Sequence, residues 1–333
     1  MNTRLIAAAT AGDRESELKA EFAADVCRHL AMTPRRLPSR YLYDALGSAL
    51  FDAICELPWY RITRAEMRLL ADHARDIWAA ISPLDRIIEL GSGDGRKLAA
   101  LLSARPRGLA PMRIDLVDVS ETALESAKRA VSGIAGTRVL THRATYESGL
   151  EAASGRTPRG RALVLFLGSN IGNFDPPAAL ALLSDISSRL RPGDALLLGA
   201  DLVKPERDLI LAYDDPLGVT AAFNLNLLVR MNRELGASFD TACFIHRAIW
   251  NARNSRVEMH LISKCEQAIR IPAAGIELNL RAEEAIWSES SYKYRCNDVL
   301  SMVGRAGFTP TGHWREARAG FSLTLCELRR GPA

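Results

Sequence analysis

IIELGSGDGRK, residues 87–97, joins a short apolar run to a glycine loop and then to the first residues of a helical pattern. A short apolar run of this kind is typical of a strand buried on both faces of a sheet. Glycine allows positive φ and lets a ligand lie against bare backbone, and the following helix N-terminus offers free N–H groups. The stretch therefore predicts a strand, a ligand-binding turn and a helix.

The same order of strand and helix repeats on the C-terminal side of this stretch. MRIDLVDVS, TRVLTHRATY, RALVLFLGSNIGNF and DALLLGADL are predicted as further strands. Helical segments lie among them, one capped by Ser120 and another, DPPAALALLSDISSRLRPG, with proline at its start and glycine after its end. Strands that alternate with helices predict an α/β fold with a doubly wound parallel sheet, covered by helices on both faces.

The segments that flank this core follow other patterns. The preceding residues are predicted as helices interrupted at Pro58, with Thr63 as the N-cap of the next helix and Glu66 as its capping-box partner. After Leu202 a helical segment leads into strand-like stretches joined by turns, for which antiparallel pairing is expected. A helix ending at Gly307 and a final strand, GFSLTLCEL, complete the predicted order.

Composition and charge exclude several classes of protein. Of 333 residues, 48% are hydrophobic and 25% charged, so a packed soluble core is expected. The net charge of +4 is small, and no basic cluster accompanies it, so no nucleic-acid partner is expected. The N-terminal apolar run is too short for a membrane span and soon becomes charged, so neither a signal peptide nor membrane binding is expected.

The six cysteines are scattered, and none belongs to a C-x-x-C pair. Cys243 and His246 form one C-x-x-H, but no second pair at zinc-ligand spacing completes a site, so no metal is expected. Singly placed cysteines are typical of buried thiols in a reducing compartment. We therefore expect a cytoplasmic protein, with a monomer as the default state.

The spacing of the glycines indicates which nucleotide the loop binds. Gly91, Gly93 and Gly95 follow Glu89 as E-x-G-x-G-x-G, whereas a dinucleotide loop needs G-x-G-x-x-G and has glycine where this chain has Arg96. The pattern resembles the first motif of S-adenosylmethionine-dependent methyltransferases with a Rossmann-like sheet. The second strand ends in Asp118, where a carboxylate can accept both ribose hydroxyls. A dinucleotide site and a purely structural glycine turn remain open at this point.

Two further stretches are candidates for a polar binding site. LFLGSNIGNF ends a buried strand with two asparagines and two glycines, at the sheet edge where open α/β sheets bind ligands. Asparagine and glycine also form ordinary turns. In IWSESSYKYRC, residues 286–296, Glu289 and Ser291 lie two apart and so face the same side of a strand. A solvated strand edge is the alternative for this pair.

Several stretches together resemble one family, the L-histidine Nα-methyltransferases of ergothioneine biosynthesis. They are YLYDALGSALFDAICELPWYRITRAE, IELGSG, FLGSNIGNF, LVKPERDLILAYDDPLGVTAAFNLN, RVEMHL and ESSYKY, in order from about Pro34 to the C-terminus. The resemblance implies successive methyl transfers from S-adenosyl-L-methionine to the α-amino nitrogen of free L-histidine. The products would be hercynine, the trimethylated amino acid, and S-adenosyl-L-homocysteine.

The resemblance also implies a division of the chain. Residues 1–62 would form the helical part of a substrate domain, and residues 63–202 the Rossmann-like S-adenosylmethionine-binding domain. Residues 203–288 would be an α+β insertion that completes the substrate domain, and residues 289–333 would complete the methyltransferase sheet.

Site residues are implied position by position. Those matching cofactor-binding positions are Gly91, Gly93, Lys97, Asp118, Thr145 and Tyr146. Those matching positions around the histidine substrate are Tyr60, Gly168, Asn173, Tyr213, Met259, Glu289 and Ser291. Asn173 and Tyr213 would hold the α-carboxylate, and Tyr43 matches a tyrosine near the reacting amine. The family has Asp where this chain has Thr145, and its usual Tyr-Tyr-Pro is changed, with Arg61 following Tyr60.

The chemistry of the residues agrees with this reading. Methyl transfer needs a neutral amine positioned against the methyl, so proximity supplies most of the help. An imidazole has one N–H and one acceptor nitrogen, which Glu289 and Ser291 can match. His246 and His260 are expected to be structural, and no general base is identified. Two other functions stay open: N-methylation of another amino acid or aromatic amine, such as tryptophan or tyrosine, and non-catalytic binding of a small molecule.

Overall fold

The computed structural model describes residues 11–154 and 160–328. The helices are α1 (Ala11–Leu30), α2 (Ala45–Glu56), α3 (Ile62–Ile81), α4 (Arg96–Ser103), α5 (Glu121–Val131), α6 (Tyr146–Ser154), α7 (Pro176–Arg189), α8 (Glu206–Tyr213), α9 (Val219–Leu235) and α10 (Cys296–Arg305). The strands are β1 (Leu84–Leu90), β2 (Met112–Asp118), β3 (Thr137–Arg143), β4 (Arg161–Phe166), β5 (Ala195–Asp201), β6 (Phe244–Asn251), β7 (Arg256–Ser263), β8 (Gln267–Ile271), β9 (Ile276–Leu280), β10 (Ala285–Tyr292), β11 (Phe308–Glu316) and β12 (Phe321–Leu328). The N-terminal apolar run, on which the absence of a signal peptide was predicted, lies largely outside the described residues.

A seven-stranded sheet forms the centre of the molecule, in the order β11-β12-β5-β4-β1-β2-β3. Strands β1 to β5 pair in parallel, while β12 is antiparallel to both β5 and β11. The chain leaves β1 toward β2 and β3 and later returns to place β4 on the other side of β1. The carboxyl ends of β1 and β4 therefore border the crevice where such sheets bind ligands. The predicted doubly wound α/β fold is confirmed.

Apolar side chains cover both faces of this sheet. Alternate residues of β1 belong to different clusters, with Ile87 in one and Ile88 in the other, because successive side chains of a strand point to opposite faces. The cluster around Ile88 takes in the inner sides of α6, α7 and α10. The cluster around Ile87 takes in α3, α4 and α5 and continues to Val257 and Leu261 of β7. One core thus joins the large sheet to the segment after β5.

That segment carries a second, smaller sheet. Strands β10, β7 and β6 pair antiparallel, as expected from the sequence, and β8 and β9 form a separate hairpin. A bridge between Leu202 and Tyr294 links the end of β5 to the residues just after β10. A second bridge links Arg36 to Trp287, so the residues after α1 lie against the small sheet. The small sheet is held over the carboxyl ends of the parallel strands.

Three details differ from the sequence prediction. Thr63 is not an N-cap, because α3 begins one residue earlier, with Arg61 at the cap and no side-chain capping bond. The predicted boundary between residues 288 and 289 falls within β10, which pairs with β7 as far as Tyr292, so Glu289 and Ser291 belong to the small sheet. Strand β11, which contains a proline and interior glycine, was not assigned; pairing with β12 forms it.

Candidate functional site

The glycine loop after β1 uses its three glycines in different ways. Gly91 has a φ of 78°, and a Cβ there would lie 2.3 Å from Asn170 Nδ2. Gly95 also has a φ of 78°, and a Cβ there would lie 2.6 Å from Ala127 Cα in α5. At Gly93 a Cβ would meet nothing within 4 Å. Packing therefore requires glycine at position 95, where the obstacle is backbone, whereas the obstacle at Gly91 is the end of a side chain. Gly93 borders open space where a ligand can lie against backbone.

Asp118, at the end of β2, lies beside the loop. One carboxylate oxygen accepts from Gly93 N at 3.2 Å, and the other accepts from Ser120 N at 2.9 Å. Burial raises the pKa of Asp118, although these backbone donors oppose the shift. Asp118 also lines the hollow beside the loop, where its carboxylate can accept from a pair of vicinal hydroxyls, as the sequence predicts.

Glu89, at the end of β1, is a buried acid without a complete set of partners. It is 2% exposed, and its Oε2 atom has no hydrogen-bond partner in the described part of the chain. Burial raises its pKa well above the ordinary value, and the positive charge of Lys97 opposes that rise. A buried polar atom left unpaired is unfavourable, and a cationic ligand beside this loop would relieve it.

A hollow lies beside the glycine loop. Tyr146 forms its aromatic wall, with its ring edge-to-face on Phe166 at 5.2 Å between centroids. The residues around the hollow that were predicted for a cofactor or substrate are Tyr43, Gly91, Gly93, Asp118, Tyr146 and Asn173. Thr145 lines an adjoining cavity, where its hydroxyl lies 3.3 Å from Ser148 Oγ in the first turn of α6.

A second, smaller pocket lies beside this hollow. All of the residues predicted to surround the substrate line it: Tyr43, Tyr60, Gly168, Asn173, Tyr213, Met259, Glu289 and Ser291. Phe51, Thr220 and Phe223, which are not among the predicted site residues, line it too. Tyr43 and Asn173 line both spaces, so they mark where two bound molecules would meet.

Glu289 and Ser291 come from β10 on the far side of this pocket. The pairing register shifts between Trp287 and Glu289, after which Glu289 lies opposite Met259 and Ser291 opposite Val257. Glu289 is 9% exposed, and burial raises its pKa to about 7 despite the nearby Lys293 charge. Within the described residues no side chain or backbone N–H is bonded to its carboxylate. This acid is available to a ligand.

Lys293 continues the alternation of Glu289 and Ser291 and was missed by the sequence reasoning. Its Nζ atom donates to Tyr213 Oη at 2.7 Å and to Ser291 Oγ at 2.8 Å, and it lies 2.9 Å from Asp201 Oδ2. Tyr213 Oη and Ser291 Oγ are themselves 2.8 Å apart. The two-residue spacing could have placed Lys293 on the pocket face, but an isolated lysine is ordinarily a surface residue.

The tyrosines form an aromatic wall around the pocket. The ring of Tyr43 lies edge-on to Phe223 at 5.5 Å, and the ring of Tyr60 lies edge-on to Tyr213 at 6.2 Å. Burial raises the pKa of both Tyr43 and Tyr60 well above the ordinary value for a phenol. Both hydroxyls therefore remain protonated and can donate hydrogen bonds.

Lys97 and Glu66 support the loop after β4. Glu66 is fully buried, accepts from Gly168 N at 2.8 and 3.0 Å, and lies 2.7 Å from Lys97 Nζ. This role replaces the capping interaction predicted for Glu66. Lys97 lines neither the hollow nor the smaller pocket, so its cofactor contact stays a prediction.

The histidines near the site have structural partners. His246 Nε2 lies 2.7 Å from the backbone oxygen of Tyr213, and its Nδ1 lies 2.9 Å from Asn224 Nδ2. The His260 ring stacks on Trp287 at 6.1 Å, and its Nε2 lies 3.2 Å from Glu258. Across residues 11–154 and 160–328, no group of three or more acids, histidines and cysteines is arranged to hold a metal. In the same ranges no helix is long and apolar enough to cross a membrane.

Comparisons with known proteins identify the family. A family model described as "Histidine-specific methyltransferase, SAM-dependent" matches residues 22–328. The chain belongs to this family. The methyltransferase is 39% identical to the histidine N-alpha-methyltransferase of Mycolicibacterium smegmatis, over 92% of this chain and 97% of that protein. It is also 39% identical to the enzyme of the same name from Mycobacterium tuberculosis, over 90% and 93% of the two chains.

A fungal protein is related as well. Ergothioneine biosynthesis protein 1 of Neurospora crassa is 32% identical over 84% of the methyltransferase, which corresponds to 32% of the longer fungal chain. The site fits the S-adenosylmethionine on which the family depends. That molecule carries an ammonium group and a sulfonium, which suit the unpaired Oε2 of Glu89, and a ribose, which suits the carboxylate of Asp118 beside the hollow.

Proposed function

We propose that this methyltransferase transfers methyl groups from S-adenosyl-L-methionine to the α-amino nitrogen of free L-histidine. Three transfers would give hercynine, and the reaction would be the first step of ergothioneine biosynthesis. The observation that carries the proposal is the smaller pocket beside the hollow, with the unpartnered Glu289 and the hydroxyl of Ser291 on one strand face. When bound, S-adenosylmethionine supplies an electrophilic methyl group. Gly91, Gly93, Asp118 and Tyr146 would hold it.

Hydrogen-bond donors near the mouth of the pocket would hold the amino acid's carboxylate. Asn173 lines both spaces and offers an amide N–H. Tyr213 offers its hydroxyl from the deeper wall, where burial raises its pKa and so keeps the proton in place. Anchoring the carboxylate here leaves the α-amino nitrogen near Tyr43, at the junction with the cofactor hollow.

The ring end of the pocket matches an imidazole. Glu289 can accept from the ring N–H, while Ser291 can donate to the other nitrogen. Met259 and Phe223 supply apolar walls. A site built on buried hydrogen bonds rejects analogues that lack the matching groups by about 10⁴-fold or more, because its own polar groups are left unpaired.

Tyr43 is the residue closest to the proposed position of the amine. Because its pKa is far above the ordinary value, the hydroxyl is a hydrogen-bond partner and not a base. It would orient the amine lone pair toward the methyl group, which is the geometry on which the reaction depends. The proton of the ammonium would leave to water.

Mass spectrometry of the reaction products tests the proposal. Purified protein, S-adenosylmethionine and an equimolar mixture of histidine, tryptophan and tyrosine should give trimethylated histidine first. Faster methylation of tryptophan or tyrosine would favour the alternative substrate class. Histidine binding in a calorimeter, without methyl transfer, would instead indicate a non-catalytic binder. The cytoplasmic location and the monomeric state stay predictions, and light scattering on a sizing column tests the second.

Exchanging the ring-binding acid tests its role within this function. Glu289→Ala should remove most of the preference for histidine, by at least about 100-fold in kcat/KM, because the ring N–H then lacks its acceptor. The KM for S-adenosylmethionine should change little. If Glu289→Ala impaired the use of histidine and of S-adenosylmethionine equally, the assigned role would be contradicted. Glu258→Ala, which removes a carboxylate from the neighbouring strand, is the control.

A further inference from the structure

Lys293 is a fully enclosed cation directly behind the substrate pocket. Its side chain is 0% exposed and pairs with Asp201, which is 1% exposed, at 2.9 Å. A lysine ammonium has three N–H donors. The other two bonds go to Tyr213 Oη at 2.7 Å and Ser291 Oγ at 2.8 Å. All three donors are therefore used, and two of them end on hydroxyls that line the pocket.

The ammonium cannot easily turn away from those hydroxyls. Asp201 is itself fixed, since its second oxygen holds Lys204 and its backbone N–H donates to Ser169 Oγ at 2.9 Å. The backbone N–H of Lys293 donates to Ser255 O at 2.7 Å. Burial acts to lower the pKa of Lys293, but Asp201 and Tyr213 outweigh it and raise the pKa, so the cation persists.

The hydroxyl oxygens of Tyr213 and Ser291 both accept from this cation, which leaves their protons for other partners. The two oxygens lie 2.8 Å apart, so one hydroxyl bonds to the other when no ligand is present. A ligand with two acceptor groups can take both protons while Lys293 continues to hold both oxygens. A ligand that offers only donors meets two oxygens already engaged by a cation.

We propose that Lys293 is a positioning residue that makes Tyr213 and Ser291 hydrogen-bond donors toward the substrate, so that the ring end admits only a ring with an N–H toward Glu289 and an unprotonated nitrogen toward Ser291. The inference rests on the proposed histidine methylation and names what sets its ring selectivity. It assigns the specificity to a residue that does not touch the ring.

Three substrates separate the acceptor requirement from the donor requirement. Histidine has both ring groups, pyrrolylalanine keeps an N–H but has no second nitrogen, and thiazolylalanine keeps an acceptor nitrogen without an N–H. In the unaltered enzyme histidine should exceed pyrrolylalanine by about 10⁴-fold in kcat/KM. In Lys293→Met, kcat/KM for histidine and thiazolylalanine should both fall about 10- to 100-fold. The value for pyrrolylalanine should fall less, because pyrrolylalanine shares the carboxylate contact with Tyr213 but has no ring nitrogen to bond to Ser291, so the preference for histidine over pyrrolylalanine narrows.

Lys204→Met provides the matched control, because it removes the other lysine of Asp201 without touching either hydroxyl. Lys204→Met should leave the ratio of kcat/KM for histidine to kcat/KM for pyrrolylalanine unchanged. The inference would be overturned if kcat/KM fell equally for all three substrates in Lys293→Met. It would also be overturned if the preference for histidine over pyrrolylalanine narrowed as much in Lys204→Met. S-adenosylhomocysteine binding should stay within about 2-fold in both variants, since neither lysine borders the glycine loop.

The design also separates this inference from the proposed function. If the unaltered enzyme does not methylate histidine, the function fails; if it does and the preference survives Lys293→Met, only the inference fails. If Lys293→Met does not bind S-adenosylhomocysteine, Lys293→Gln carries the same comparison. Its amide removes the charge and brings an acceptor oxygen, so the preference should again narrow, and an unchanged preference overturns the inference.

Discussion

Glu289 is a carboxyl group placed where burial penalises its charge. Its pKa is raised to about 7 because the pocket removes it from water, and the nearby Lys293 charge only partly compensates. Active sites often hold groups whose pKa values are perturbed in this way. A ring N–H donated to Glu289 would favour the ionised form, so substrate binding should lower the pKa of this acid.

Glu289→Gln should therefore stabilise the ligand-free protein more at pH 8 than at pH 5. A group whose pKa is raised on folding favours the folded state most below its ordinary value of 4.5, and that contribution is lost as pH rises toward about 7. Replacing the acid removes this loss, which amounts to about 2 kcal/mol between the two pH values. Urea denaturation at both pH values measures it.

Glu151→Gln, at an exposed carboxyl on α6, is the control and should leave the pH dependence of the free energy of unfolding unchanged. A pH profile for Glu289→Gln that parallels the unaltered protein would show that Glu289 does not titrate in this range.

At the scale of single elements, the glycine loop has two separable tasks. Gly95 allows α4 to approach α5, since a Cβ would lie 2.6 Å from Ala127 Cα. Gly93 leaves room for a ligand, since a Cβ meets nothing within 4 Å of the protein. Both have positive φ, at 78° and 50°, so alanine at either position adds about 1 kcal/mol of backbone strain.

Gly95→Ala and Gly93→Ala should consequently differ in what they damage. Gly95→Ala should lower the free energy of unfolding by more than about 2 kcal/mol, because clash adds to strain. Gly93→Ala should lower it by about 1 kcal/mol and weaken S-adenosylhomocysteine binding about 10-fold or more, because the methyl occupies ligand space. Denaturation and calorimetry together measure both. If Gly93→Ala and Gly95→Ala weakened S-adenosylhomocysteine binding equally, once their difference in stability is taken into account, the two glycines would not have separate roles.

Glu66 connects helix α3 to the loop after β4. Glu66→Ala should lower the free energy of unfolding by about 3 kcal/mol, because it leaves the partly buried Lys97 charge and the Gly168 N–H without their acceptor. Arg68→Ala, on the same helix, removes an ion pair to Glu316 in which the arginine is 52% exposed, and it should have a much smaller effect. A comparable loss in both variants would mean that the buried contact adds little.

Sequence patterns predict some of these elements better than others. Continuous apolar runs identify β1, β4 and β5, because both faces of a parallel strand are covered. Strand β11 is half-buried and interrupted by Pro310 and Gly312, so its pattern is weak, and only pairing with β12 forms it. Thr63 matches a capping motif, but Glu66 has stronger partners across the fold, and tertiary contacts override the local signal.

At the scale of the whole molecule, the two sheets share a core and a binding site. The cluster that covers one face of the large sheet continues to Val257 and Leu261 of the small sheet. The buried pair of Lys293 and Asp201 joins the residue just after β10 to the end of β5. Histidine and the methyl donor would therefore contact both sheets at once, and their binding should stabilise the molecule as one unit.

Ligands should accordingly shift one unfolding transition as a whole. S-adenosylhomocysteine at 100 times its dissociation constant should add about 2.7 kcal/mol to the free energy of unfolding, and histidine should add to that shift. Trp78 lies against the large sheet and Trp287 in the small sheet, so fluorescence of single-tryptophan variants should report coincident midpoints with far-UV dichroism. Separate midpoints, with only one moved by ligand, would show that the sheets unfold independently.

The sequence by itself determined the parallel core and the glycine loop, because strands buried on both faces and glycines with positive φ leave strong local patterns. The family resemblance implied the predicted substrate residues, which the structure gathers around one pocket. The sequence could not give Lys293 or Glu66 their roles. Asp201, Tyr213 and Gly168 come from distant parts of the chain, and only tertiary folding brings them within hydrogen-bond distance. Burial increases the contribution of those contacts to stability, because a charge removed from water is costly unless it is paired inside the protein.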